Sequence, residues 1–189
     1  MTAIVTILTE GYADWETALL NAAARSYYSI DTKFATPGGR PVRSAGGLTV
    51  TPDLAVEDID VSAIDALVVN GGTAWSQPDA PDIGKALVAA RDAGKTVAGI
   101  CDGTLALARA GLLDRVKHTS NSAENLDPTG YAGKANYQDQ PDAVVDGKIV
   151  TAPGTAPVSF MGGVFETLGM RDDNLNFYLG MYGAEHKAA

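Results

Sequence analysis

The chain contains one cysteine, two histidines and no cluster of basic residues in 189 positions. A single cysteine excludes an intrachain disulfide and any paired-cysteine metal site. The two histidines are far from each other and from the cysteine, so spacing offers no metal site, and none is expected. Lys and Arg number 14 against 23 Asp and Glu, a formal net charge of -9. Such a surface repels phosphate backbones and anionic lipid, so neither nucleic acid nor a membrane surface is an expected partner. No stretch approaches the ~20 apolar residues of a membrane-spanning helix. The apolar run at Ala3–Leu8 is too short for a signal sequence and lacks a preceding Lys or Arg. These features predict a cytoplasmic protein in a reducing compartment, with Cys101 a free thiol.

Apolar residues make up 46% of the chain and charged residues 20%, a balance suited to one packed core. A single domain over residues 1–189 is expected. Ala3–Thr9, Ser29–Ala35, Ala66–Asn70 and Thr96–Ile100 read as strands, most of them continuous apolar runs of the kind buried on both faces. Helical spacing is found over Tyr12–Ala24, Pro81–Ala93, Thr104–Ala110, Ala156–Leu168 and Asp172–Tyr182. Gly46-Gly47, within Pro41–Asp53, marks a small hairpin, and Asp146-Gly147, within Val144–Val150, marks another. Alternating strands and helices with short connections predict an α/β fold. It is a three-layer sandwich, a mostly parallel sheet with helices on both faces.

In such a sheet the reactive crevice lies beyond the carboxyl ends of the strands. Gly99-Ile100-Cys101-Asp102-Gly103 has the spacing of a nucleophile elbow, a sharp strand-to-helix turn. The thiol then sits at a helix N-terminus, which favours the thiolate, and backbone N–H groups there can receive a developing oxyanion. Gly71-Gly72 can supply a second donor from the neighbouring loop. The alternative role for Cys101 is that of a small buried hydrophobe. Glu16, just beyond the first strand, is either a dipole-complementing charge or a carboxyl aimed at the thiol. In the second role it needs a raised pKa to donate a hydrogen bond. Neither G-x-G-x-x-G nor a P-loop follows the first strand, so no cofactor is expected.

The segments Glu10–Glu16, Asn70–Thr73, Ala98–Gly103, Ala110–Asp114, Lys117–Asn121 and Thr151–Ala156 together resemble the ThiJ/PfpI superfamily, in order and in spacing. The similarity runs from about residue 3 to about residue 169. It implies a flavodoxin-like, class I glutamine-amidotransferase-like fold, a homodimer, a reactive Cys101 and a partner Glu16. The N–H groups of Gly72 and Asp102 are then the oxyanion donors. Many members carry a histidine near the cysteine, on the strand after the Gly-Leu-Leu segment; alignment puts Ser120 at that place. His118, two residues earlier, would lie about 6.6 Å further along such a strand and is expected to be structural. His186 is expected to be frayed. Asp14 resembles an aspartate of isonitrile-hydrating relatives and is an acid/base candidate or a helix N-cap. Asp102 either steers a substrate or caps the helix. Trp15 and Trp75 pack in the core or a dimer contact, or line an apolar pocket.

The expected function is cysteine-dependent attack on a small molecule with an electrophilic carbon: an aldehyde or glycated amine, an amide or an isonitrile. The alternatives are a non-enzymatic redox or stress sensor that works by oxidation of Cys101, and a glutamine-amidotransferase-like protein.

Overall fold

The computed structural model describes residues 2–184. Its elements are β1 (Ala3–Ile7), α1 (Asp14–Tyr28), β2 (Asp31–Thr36), β3 (Val42–Arg43), β4 (Thr49–Val50), β5 (Leu54–Ala55), β6 (Ala66–Val69) and α2 (Gly84–Asp92). They continue with β7 (Thr96–Ile100), α3 (Gly103–Arg109), α4 (Ala123–Leu126), β8 (Val144–Asp146), β9 (Ile149–Ala152), α5 (Pro157–Thr167) and α6 (Asp173–Tyr182). His186 lies outside the described residues.

Seven strands form one sheet in the order β5-β2-β1-β6-β7-β9-β8. All neighbours are parallel except β8 and β9, which the tight turn at Gly147 joins as an antiparallel hairpin. The central strands are apolar on both faces because helices cover both. Val5, Ile7, Leu67, Val69 and Val97 pack with Leu87 of α2, Leu105 and Leu107 of α3 and Leu126 of α4. The alternate residues Ile4, Val68, Ala98 and Ile100 pack with Leu20 of α1, Phe160 and Phe165 of α5 and Leu175 of α6. This period-two partition yields the flavodoxin-like three-layer sandwich. Strand order reverses between β1 and β6, so the crevice opens at their carboxyl ends beside that of β7.

The small hairpin forms as β3 paired with β4, a separate two-stranded sheet. It is tied to the loop after β1: Gly11 N–H donates to Arg43 O at 2.8 Å, and Ala45 N–H donates to Tyr12 O at 2.8 Å.

Several boundaries differ from those expected. α1 continues past Ala24 to Tyr28 and stops at Ser29, which adopts φ 53°. Its last turn is polar on the outer face and carries no apolar rhythm. α2 begins at Gly84 rather than Pro81, because the Asp82 carboxylate accepts the Gly84 N–H at 2.9 Å in a local turn. The expected strand through His118 and Ser120 is absent. The segment pairs only at an isolated bridge between His118 and Tyr137. Among the described residues no helix is long and apolar enough to cross a membrane.

Candidate functional site

The site is built where β1, β6 and β7 end. Cys101 follows β7 and adopts φ 55°, one of two non-glycine residues with positive φ among the described residues. Left-handed backbone at a residue bearing Cβ costs about 1–2 kcal/mol, and the surroundings hold it there. Cys101 N–H donates to Ala152 O at 2.9 Å, and Cys101 O accepts both the N–H of Thr104, at 3.1 Å, and its hydroxyl, at 2.6 Å. Gly103 permits the turn to close: a Cβ there would stand 2.5 Å from Val69 O. The result is an elbow that presents a half-buried thiol at the start of α3.

Glu16 reaches the thiol from the first turn of α1 and is 1% exposed. Its Oε2 accepts the Gly71 N–H at 2.8 Å. Its Oε1 has no other polar partner among the described residues and is left for the Cys101 thiol. The Gly71 peptide is itself pinned, since Asn70 donates through Nδ2 to Gly71 O at 2.8 Å and to Ala13 O at 3.0 Å. Asn70 is fully buried, and its Oδ1 accepts the Thr17 hydroxyl at 2.5 Å.

Burial is the main cause that pushes Glu16 up, to about 7; hydrogen bonds from the thiol and from Gly71 oppose it, and the charge of Asp102 adds to it. Burial likewise pushes the thiol up, to about 12, with the charge and hydrogen bond of Glu16 in the same direction. Asn121 and the Asp102 N–H pull the thiol down. The helix N-terminus therefore does not by itself give the free thiolate expected from the sequence, because burial and the neighbouring carboxylate outweigh it. Between these two values the pair carries one proton and one negative charge.

Asn121 is the neighbour that the sequence did not single out. Its Nδ2 donates to Cys101 Sγ at 3.2 Å and to Asp102 Oδ1 at 3.1 Å, and its Oδ1 accepts the Gly154 N–H at 3.0 Å. The place beside the sulfur that alignment gave to Ser120 thus belongs to Asn121. Ser120 is buried, with its hydroxyl 2.7 Å from that of Thr104. His118 is fully buried, with Nδ1 2.8 Å from Val116 O and Nε2 3.2 Å from Tyr131 Oη, away from the thiol.

The carboxylate of Asp102 makes no capping bond to α3; it accepts Asn121 and Asn125, each at 3.1 Å. Asp14 is turned toward the β3–β4 hairpin. It accepts the Gly46 N–H at 2.8 Å, and Ser44 and Gly46 hold its carboxyl below the usual range. Gly71 spends its N–H on Glu16, whereas the N–H of Gly72 has no partner among the described residues. Trp75 is wholly in the core, its indole donating to Asn70 O at 2.8 Å. Trp15 is 58% exposed and donates to Gly154 O at 3.2 Å, which places it at the mouth. Among the described residues no group of three or more His, Cys, Asp or Glu side chains is placed to hold a metal.

The segments that carry Asn121 and Gly154 contribute to the family resemblance, yet nothing in their spacing singles out these two residues. Only the fold brings them to the sulfur.

Comparisons with known proteins agree with this architecture. The chain is 34% identical to the "Uncharacterized protease YoaZ" of Bacillus subtilis over 165 residues, covering 82% of this chain and 78% of that one. It is 29% identical to the "Glutathione-independent glyoxalase DJR-1.2" of Caenorhabditis elegans over 143 residues, 74% of each. The crystal structure of the DJ-1 superfamily protein Atu0886 from Agrobacterium tumefaciens superposes with a TM-score of 0.95 at 45% identity. It covers 98% of this chain and 100% of that one. The pattern that defines the DJ-1/PfpI family matches residues 2–167, and the chain belongs to that family.

Proposed function

We propose that this protein is a cysteine-dependent enzyme that adds the Cys101 sulfur to a small electrophilic carbon, an aldehyde first among them. The observation that carries the proposal is the placement of the buried Glu16 carboxyl beside the Cys101 thiol, with Oε2 held by the Gly71 N–H at 2.8 Å and Oε1 turned to the same point as Sγ. The Glu16 carboxylate takes the thiol proton as Sγ attacks the carbonyl carbon. The C–S bond forms, and the carbonyl π electrons pass to oxygen beside the N–H groups of Gly72 and Asp102. Glu16 then returns the proton to that oxygen, giving a neutral hemithioacetal; where a ketone adjoins it, transfer of the C1 proton to the ketone carbon gives a thioester, which water hydrolyses to the 2-hydroxy acid and the free thiol. Asp14 and His118 take no part in this scheme.

The glyoxalase name of the nematode relative supports an aldehyde with a neighbouring carbonyl. Peptide cleavage, suggested by the name of the Bacillus relative, requires protonation of a leaving amine. Among the described residues Glu16 is the group placed to supply that proton, and the scheme above already commits it to the carbonyl oxygen. A glutamine-amidotransferase role is disfavoured for the same reason, since the ring of His118 is spent on Val116 and Tyr131. The homodimer implied by the family is part of this proposal, supported by the exposed Trp15 at the mouth.

The test is consumption of methylglyoxal, with the hydroxy acid product followed directly, in wild type, Cys101→Ala and Glu16→Gln. Loss of turnover in folded Cys101→Ala is expected. Retained turnover in that variant would overturn the proposal.

A second reading has one observation in its favour. A cleft of about 640 Å³ is lined by Pro141, Thr155, Val158 and Leu179 rather than by Cys101. A half-buried thiol with access for peroxide fits a redox sensor, in which thiolate and hydrogen peroxide give sulfenate and water. Rapid stoichiometric oxidation by peroxide, with no turnover of any carbonyl, would select that reading.

A further inference from the structure

The amide of Asn121 has no freedom to turn over. Its oxygen faces the Gly154 N–H at 3.0 Å, and a backbone N–H can only donate. Its nitrogen faces the Asp102 carboxylate at 3.1 Å, and an ionised carboxylate can only accept. Reversal of the amide would break both bonds and set like against like. With this orientation fixed, the second hydrogen of Nδ2 points to Cys101 Sγ at 3.2 Å. Asp102 is steadied in turn by Asn125, whose Nδ2 donates to the same Oδ1 at 3.1 Å.

We infer that Asn121 is a fixed hydrogen-bond donor to the Cys101 sulfur, and that Asp102 is a positioning residue acting through it. Neither Asn121 nor its orientation enters the proton exchange described above. The charged group that faces the sulfur is Glu16 from α1; Asp102, the residue before α3, meets it with its backbone N–H and turns its carboxylate to Asn121 and Asn125. The pair's proton has two resting places. With the proton on sulfur, the carboxylate is served by the Gly71 N–H; with the proton on Glu16, the thiolate is served by Asn121 and the Asp102 N–H. Asn121 therefore biases the pair toward thiolate and carboxylic acid, the form that attacks. A histidine at this place would both donate and titrate, whereas an amide donates at every pH.

The arrangement also bears on substrate class, a point that rests on the proposed function. A carboxamide N–H donates hydrogen bonds but is far too weak an acid to protonate a departing amine, so Asn121 does not stand in for the acid that release of an amine uses. Addition to an aldehyde has no leaving group, and its one proton passes from the thiol to the carbonyl oxygen through Glu16.

The test is the rate of Cys101 alkylation by iodoacetamide against pH, with the ultraviolet absorbance of the thiolate as a second readout, in Asn121→Leu and Asp102→Asn. Removal of a hydrogen bond to a charged sulfur should lower the rate near neutrality about tenfold and move the profile up by about one pH unit. Asp102→Asn should move it in the same direction by less, because a neutral amide at 102 accepts from Asn121 more weakly. A merely structural role would lower the stability of either variant and leave the profile in place. A wild-type profile in folded Asn121→Leu overturns the inference; should that variant not fold, an unmoved profile in Asp102→Asn does so. Alkylation does not depend on turnover. A moved profile without methylglyoxal turnover would therefore sink the proposed reaction alone, and an unmoved profile with intact turnover would sink this inference alone.

Discussion

Gly154 stands against Cys101 so closely that a side chain on it would meet the sulfur. A Cβ there would lie 3.0 Å from Sγ and 3.0 Å from Glu16 Oε1, between the two groups that exchange the proton. Gly154→Ala should therefore separate thiol from carboxyl. Its effect on stability is that of mild overpacking, about 1–3 kcal/mol, because the loop can shift outward. Its effect on chemistry should be larger, a loss of tenfold or more in both alkylation and turnover near neutral pH. A folded Gly154→Ala protein that alkylates at the wild-type rate would show that the close packing is incidental.

The backbone at Cys101 makes a separate prediction. At φ 55° a glycine is unstrained and an alanine is not. Cys101→Gly and Cys101→Ala both remove the thiol, so their difference isolates the backbone. Cys101→Gly should be the more stable of the two by about 1 kcal/mol, reduced somewhat by the greater freedom of glycine in the unfolded chain. Urea unfolding of both variants measures this, and a more stable Cys101→Ala would mean that the elbow relaxes.

The sheet and the elbow were legible because both rest on local pattern. Apolar runs mark strands covered twice, and the glycines on either side of Cys101 mark a sharp strand-to-helix turn, closed at Gly103 where a Cβ would stand 2.5 Å from Val69 O. Glu16 was legible as a possibility from its place in the first turn after β1. Asn121 was not, because the contact spans 20 positions of irregular chain and an asparagine there has no periodic or compositional signature. The error at Ser120 has the same origin. It assumed a regular strand, whereas the segment bends so that Ser120 points to Thr104 and Asn121 to the sulfur. Asp14 is an acid/base candidate by resemblance to isonitrile-hydrating relatives, and its carboxylate is turned to the β3–β4 hairpin, where it accepts the Gly46 N–H.

His118 tests the distinction between structural and chemical residues. Its ring is fully buried, accounts for two hydrogen-bonding contacts and packs edge-on against Tyr131 and Tyr137. His118→Ala leaves a cavity and unpaired groups and should cost about 2–4 kcal/mol. The pH profile of Cys101 alkylation should not move in the folded fraction. A shift in that profile would give His118 a part in the proton exchange.

Glu16 makes stability depend on pH with a definite sign. Its carboxyl ionises near 4.5 in the unfolded chain and near 7 in the folded one. Below the lower value both states are protonated and no penalty arises. Between the two the folded state binds the extra proton, so stability falls as pH rises; above 7 the penalty is complete, about 3 kcal/mol for a shift of this size. The group is 1% exposed, so solvent screening offers little relief. Glu16→Gln keeps an oxygen able to accept the Gly71 N–H and cannot ionise. The other carboxylates titrate in both proteins and cancel in the comparison, and the thiol stays protonated in both states below about 8. The variant should therefore gain on wild type as pH rises, by about 3 kcal/mol between pH 4.5 and 7.5 beyond any constant offset. Denaturant melts of the two proteins across that range measure the difference directly. A difference that does not change with pH would mean that Glu16 ionises as freely in the fold as outside it, and the shared proton would then have no basis.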